Sequence, residues 1–134
     1  MREINPNLEF KINTVVNKLN CSENLSDFIQ QARPQKWKVF KLLPIYSDSL
    51  EIQDHEFLNF IKTHAHLNHI MSAENNDDMT ESYLMIDPLG RFFQNGIEQG
   101  YNYSSPLCEI SADIALQQIN FDTNKFISRY KRII

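Results

Sequence analysis

The sequence predicts a mixed α/β fold: a strand–helix–strand unit, a further helix, a β-hairpin and two C-terminal helices. Three observations carry this reading. Residues 8–16, LEFKINTVV, alternate with the period of two that marks a strand. A second extended run, residues 36–45, follows a helix-spaced segment. Strand, helix and strand together span about 35 residues, the size of a βαβ unit with parallel strands. Two short extended runs, 82–87 and 91–95, flank Asp87-Pro88-Leu89-Gly90, where Pro and Gly supply turn chemistry.

Each element has its own justification. In the first strand Leu8, Phe10, Ile12 and Val16 take one side, and Glu9, Lys11, Asn13 and Val15 the other. Ser22 or Asn24 caps a helix to about Gln31, with Leu25, Phe28, Ile29 and Ala32 as its buried stripe, and Pro34 ends it. Trp37, Val39 and Phe40 favour extended structure in the second strand. Asp54 caps the next helix, to about His66, with Phe57, Phe60, Ile61 and His64 on one face. Residues 72–80 read as a polar loop, and 96–107 as an irregular segment rich in Tyr, Asn and Ser. The last helices fall near 111–119 and 123–131, with Asp122 as a cap.

Length and composition bound the function. A chain of 134 residues with 42% hydrophobic and 22% charged residues fits one folded domain, and no linker or internal repeat interrupts it. Three glycines leave almost no material for a glycine-rich nucleotide loop. No apolar run approaches the roughly twenty residues of a membrane span. The N-terminus has no apolar signal core, so the expected location is cytoplasmic. Residues 1–45 hold seven Lys/Arg against four Asp/Glu, residues 46–124 two against thirteen, and residues 125–134 four against none. The acidic total of −4 argues against general nucleic-acid binding, while the basic ends allow a local anion site.

Few side-chain constellations carry chemistry. Cys21 and Cys108 cannot hold an iron–sulfur cluster by themselves, and both read as unpaired thiols packed as small hydrophobes. His64, His66 and His69 lack the three- or four-residue spacing of helix metal ligands and read as surface or helix-end histidines, so no metal site is assigned. There is no nucleophile elbow, and Asp77-Asp78 sits in a polar segment. The informative pattern is in the strands. Lys11 and Asn13 share one face of the first, and Lys36 and Lys38 share one face of the second. Parallel strands are normally apolar on both faces. Three lysines and an asparagine on one face therefore fit either solvent exposure or an anion such as phosphate.

Four blocks in order then resemble viperins, the antiviral radical S-adenosylmethionine enzymes: FKINTVVNKLN (residues 10–20), RPQKWKVFKLLPI (33–45), SYLMIDPLGRFFQN (82–95) and INFDTNKFISR (119–129). DPLGRFFQN followed by GYNYS is most similar to the prokaryotic branch. The resemblance spans about residues 8–130. It implies that residues 1–45 are the last strands of a truncated partial barrel and residues 46–134 the C-terminal extension. Viperins convert CTP to a 3′-deoxy-3′,4′-didehydro nucleotide, with an iron–sulfur cluster held by C-x-x-x-C-x-x-C. No such motif occurs in these residues, so the resemblance implies no catalytic residue, no iron–sulfur cluster and no S-adenosylmethionine site here.

By match to the family motifs, Lys11 and Asn13 face the nucleotide, Lys38 contacts phosphate, Tyr83 lies beside the substrate sugar and Arg129 makes another phosphate contact. Lys36 stands where animal viperins carry Arg, which keeps the charge but loses bidentate geometry. Ser128 stands where they carry Lys. After Arg129 the usual Gly-Gly and aromatic tail are replaced by Tyr-Lys-Arg-Ile-Ile. The implied function is a non-catalytic, viperin-like segment with weak affinity for CTP or another nucleoside triphosphate. Two alternatives stand beside it. One is an interaction module, a homo-oligomer or a partner-binding protein, using an exposed sheet edge. The other is one half of a radical enzyme completed in trans.

Overall fold

A computed structural model describes residues 5, 7–45, 47–97 and 100–131, with backbone alone for 129–131. Among the described residues it is a mixed α/β structure with one parallel and one antiparallel three-stranded sheet, five α-helices and no closed barrel. The chain divides into two compact units. The first runs to Leu42 and resumes over Leu50–Glu74; the second comprises Leu43–Ser49 and the residues from Asn75 onward. Among the described residues no helix is long and apolar enough to cross a membrane.

The first unit is built on β1 (Lys11–Val16), α1 (Ser26–Ala32), β2 (Lys36–Lys41), α2 (Asp54–Thr63), a 3₁₀ turn (Ala65–Leu67) and β3 (Met71–Glu74). The strands are parallel in the order β1-β2-β3, which bears out the βαβ reading. Val16, Trp37 and Val39 from the sheet meet Ile29, Ile52, Phe57, Phe60 and Leu67 in one core, with Ile12, Met71 and Ala73 against it. Trp37 is wholly buried, and its indole N–H donates to Thr14 Oγ1 at 2.8 Å.

His64 ties this core together. It is fully buried at the C-terminal end of α2. Its Nε2 accepts the Leu25 N–H at 2.9 Å, at the N-terminus of α1. Its Nδ1 lies 2.7 Å from the Phe60 carbonyl, so Nδ1 carries the proton. The ring also stands edge-on to Trp37, with centroids 5.1 Å apart. One imidazole thus satisfies an open donor of one helix and a carbonyl near the end of another. His64 thus stands at a helix end, as expected, but is buried and hydrogen-bonded, which corrects its reading as a surface histidine.

Other expectations are corrected here too. Helix α1 begins at Ser26, capped by neither expected side chain; Asn24 Oδ1 instead accepts the Ser26 N–H at 3.0 Å. Phe28 is 60% exposed, because two turns of helix direct only Ile29 and Ser26 inward. Ahead of α2, Glu56 accepts the Gln53 N–H at 2.8 Å, so Gln53 rather than Asp54 precedes the helix. Asp54 instead receives Lys41 Nζ at 2.8 Å, and that ammonium holds its carboxyl below the usual range. Residues 71–74, the last three of which fall in the loop expected over 72–80, form β3 on the strength of backbone pairing to β2.

In the second unit α3 (Asn76–Met79) precedes an antiparallel sheet of β4 (Met85–Ile86), β5 (Arg91–Asn95) and β6 (Tyr101–Pro106), followed by α4 (Ala112–Gln117) and α5 (Thr123–Lys131). The hairpin and both C-terminal helices are as expected. Asp87 closes the turn. Its Oδ1 accepts the N–H of Leu89 at 2.9 Å and of Arg91 at 3.0 Å, and its Oδ2 accepts Arg91 Nε at 2.8 Å. These donors, the Arg91 backbone first, hold the Asp87 carboxyl below its ordinary range. Gly90 has φ +71°, which a side chain would resist. Asp122 Oδ1 caps α5 by accepting the Lys125 N–H at 2.9 Å.

The expected irregular stretch contains β6. Tyr101 and Tyr103 alternate along it and flank Phe93 of β5, with ring centroids at 5.3 and 5.7 Å. The Arg91 guanidinium lies 4.3 Å from the Tyr103 ring. Phe92, Ala115 and Ile119 form the small core between sheet and helices. Gln94 points to the same side of β5 as Phe92, fully buried, and among the described residues neither amide atom has a partner. Cys108 is exposed, unlike the half-buried Cys21, and both are free thiols.

Three expectations follow. Replacing His64→Phe keeps a ring in the core but strands the Leu25 N–H and the Phe60 carbonyl. It should cost about 1–3 kcal/mol, read as a lower urea midpoint at constant slope; an unchanged midpoint would show that the bonds contribute nothing net. Gln94→Leu removes two unpartnered polar atoms and should raise stability by about 1 kcal/mol or more; a fall would mean that water serves the amide. Because Asp54 titrates below its unfolded value, its contribution is present above about pH 4 and lost as pH falls further. Asp54→Asn should flatten the acid limb of a stability–pH curve and leave its neutral part nearly parallel to that of the wild type.

Candidate functional site

The register of β1 against β2 builds the site. Lys11 pairs with Lys36, Asn13 with Lys38 and Val15 with Phe40. Alternation turns Ile12, Thr14, Trp37 and Val39 toward the core and leaves Lys11, Asn13, Lys36 and Lys38 on the opposite side. The sheet therefore brings together the four strand residues that the sequence singled out.

Their environments differ. Lys11, Asn13 and Lys36 are exposed. Adjacent strands lie about 4.8 Å apart, so Lys11 and Lys36 set two like charges side by side, an arrangement that weakens a sheet. Among the described residues neither ammonium has an ion-pair partner. Lys38 is more enclosed, its side chain 15% exposed. Its Nζ donates to Glu74 Oε1 at 2.6 Å and lies 5.6 Å from the Phe40 ring centroid.

Glu74 is the residue that sequence reasoning missed. It is almost wholly buried, on β3 beside β2 and opposite Phe40, so it reaches Lys38 diagonally across the strands. A signal existed: in Met71-Ser72-Ala73-Glu74 the apolar and polar residues alternate, which puts Ser72 and Glu74 on the lysine side. Four residues beside a polar stretch were too few to outweigh the loop reading. The carboxylate supplies one of the anions that a lysine-rich sheet face calls for.

The remaining two residues belong to the second unit. Tyr83 is half-buried in the segment leading to β4. Arg129 lies on α5, and its side chain falls outside the described residues. Among the described residues no group of three or more His, Cys, Asp or Glu is placed to hold a metal ion.

Comparison with known proteins gives this geometry a context. No family model matches the chain. It is 50% identical over 133 residues to the S-adenosylmethionine-dependent nucleotide dehydratase of Psychrobacter lutiphocae, a match covering 98% of this chain and 45% of that protein. The dehydratase of the same name from Pseudoalteromonas ulvae is 42% identical over 98% of this chain and 43% of its own length. That of Oncorhynchus mykiss is 29% identical, covering 90% and 37% respectively. The chain spans less than half the length of each of these relatives. Its 134 residues contain two cysteines, Cys21 and Cys108. Over nearly its whole length, the chain is homologous to a part of the viperin-like S-adenosylmethionine-dependent nucleotide dehydratases.

Proposed function

We propose that this chain is a nucleoside-triphosphate-binding segment of the viperin-like type, CTP being the first candidate, and that it performs no radical chemistry by itself. The observation carrying this is the register that sets Lys11 beside Lys36 and Asn13 beside Lys38 on the outward face of a parallel sheet. Two uncompensated ammonium groups next to an amide suit phosphate oxygens. The relatives' name supplies the nucleotide. Tyr83 and Arg129 enter by motif match, as sugar and phosphate neighbours. The ammonium groups are exposed, and each such contact contributes under about 1 kcal/mol, so the affinity is weak. The paired Lys38 then acts as an already oriented charge. No catalytic residue is assigned, because the chain lacks the cysteines that would hold a cluster.

A second reading rests on a different observation. Among the described residues β1 is an edge strand, paired with β2 alone, and Phe10 just before it and Val15 within it are 41% and 45% exposed. Such an edge accepts a further strand, from a second copy or from another protein. A separately encoded radical half is one such partner.

A thermal melt of the purified chain against a panel of nucleoside triphosphates tests both readings. CTP at millimolar concentration should raise the midpoint by a few degrees, through binding to the native state alone. The doubly substituted Lys11→Ala, Lys36→Ala protein should lose that rise while keeping a cooperative melt. A melt indifferent to every nucleotide would sink the first reading. A dimer or larger species in light scattering, lost when Val15 is replaced by Lys, would then support the second.

A further inference from the structure

A cavity of about 360 Å³ opens in the first unit between the end of α1 and the 3₁₀ turn, where the chain leads into β2 and β3. Its lining has two parts. Ile29, Pro34 and Leu67 are buried and apolar, while Arg33, His66 and His69 are exposed and nitrogen-bearing. Among the described residues no carboxylate lines it. Among the described residues, none of those three exposed side chains makes a hydrogen bond or an ion pair.

Arg33 supplies a second, independent observation. It is the C-cap of α1 with φ +49° and ψ 54°, the left-handed conformation. Glycine is the residue that this position favours, since a Cβ resists it. The turn itself uses only the Arg33 backbone N–H, which donates to the Ile29 carbonyl at 2.9 Å. Among the described residues the guanidinium is therefore left without a partner, at a position whose backbone geometry disfavours arginine.

From these we infer that the cavity is a binding site for an aliphatic carboxylate, a function separate from the nucleotide reading. The hydrocarbon chain lies against Pro34, Leu67 and the half-buried Ile70. The carboxylate meets the fork of N–H donors on Arg33, which matches its two oxygens. His66 and His69 add ring donors beside it. The volume is of the size that small ligands occupy. The carboxylate has two sources, a free short-chain acid or the C-terminus of a peptide ending in an aliphatic residue.

Titration of the ¹⁵N-labelled full chain followed by NMR decides the matter. Hexanoate should shift the amides of Ile29, Arg33 and Leu67 saturably, at roughly millimolar affinity, as expected for one charged contact and a short apolar chain. Hexanamide should bind at least tenfold more weakly. Arg33→Gly suits the left-handed turn, so it removes the side chain without endangering the fold. It should weaken hexanoate at least fivefold and leave hexanamide unchanged, and Arg33→Lys should fall between. Acetyl-glycyl-leucine binding more tightly than hexanoate would identify a peptide terminus, and the reverse order a free acid. The inference is overturned if hexanamide matches hexanoate, if inorganic phosphate alone gives the same shifts, or if Arg33→Gly leaves the hexanoate affinity intact.

Discussion

Three parallel strands are laid down in sequence order, β1-β2-β3, and within the first unit their helices share one side. Ile29 of α1 and Phe57 and Phe60 of α2 meet Val16, Trp37 and Val39 in one core, so α1 and α2 fall on the same face of the sheet. Everything in the first unit depends on this. One side must be apolar enough to hold Trp37, Val39, Phe57 and Phe60. The other side is left without a helix of its own and can carry Lys11, Asn13, Lys36 and Lys38. The lysine face is thus a consequence of topology before it is a consequence of function: the same connection that makes the core frees the opposite side for charge.

The covered side has a cost, since two short helices end inside or against it. α1 has seven residues and α2 ten, too few to be stable alone. His64 meets that cost at both helices with two ring nitrogens. The indole of Trp37 does the same for the sheet by donating to Thr14 across the strands. The ring nitrogens of His64 and the indole N–H of Trp37 are therefore satisfied within the unit, whereas the buried Ser26 Oγ has no partner among the described residues. In the second unit the tie is Asp87, whose carboxylate holds two backbone N–H groups and the Arg91 side chain around one turn. The contrast is Gln94, whose buried amide has no such partner.

Much of this was legible in the sequence. Period-two alternation in 8–16 and 36–41 was enough to place the lysines on one face, because β1 and β2 are long enough to repeat the pattern. Pro88 and Gly90 announced the hairpin, and Asp122 the cap of α5. What escaped has a common cause: it depends on residues distant in the chain. The N–H that opens α1 is satisfied from His64, thirty-nine positions away, so no local cap could reveal where α1 starts. β3 is four residues, half of them polar because they border the lysine face. β6 hides its alternation in Tyr-Asn-Tyr-Ser, where tyrosine serves as the packed residue and the strand closes on proline. In the site, the counter-charge on Lys38 was invisible because Glu74 reaches it only through strand pairing. Tyr83 and Arg129 came by motif match, and no spacing in the chain would have joined them to the strands.

The chain has a single tryptophan, and that residue is sealed in the core of the first unit, edge-on to His64 and Phe60. Its emission is therefore a private reporter. Loss of the first unit would expose the indole and shift its fluorescence to the red, whereas the second unit, with tyrosine but no tryptophan, could unfold without changing that signal. Circular dichroism, by contrast, averages over both sheets and all the helices. The two optical signals consequently measure different things in this molecule. Any difference between their transitions would be a direct reading of how far the two units melt as one.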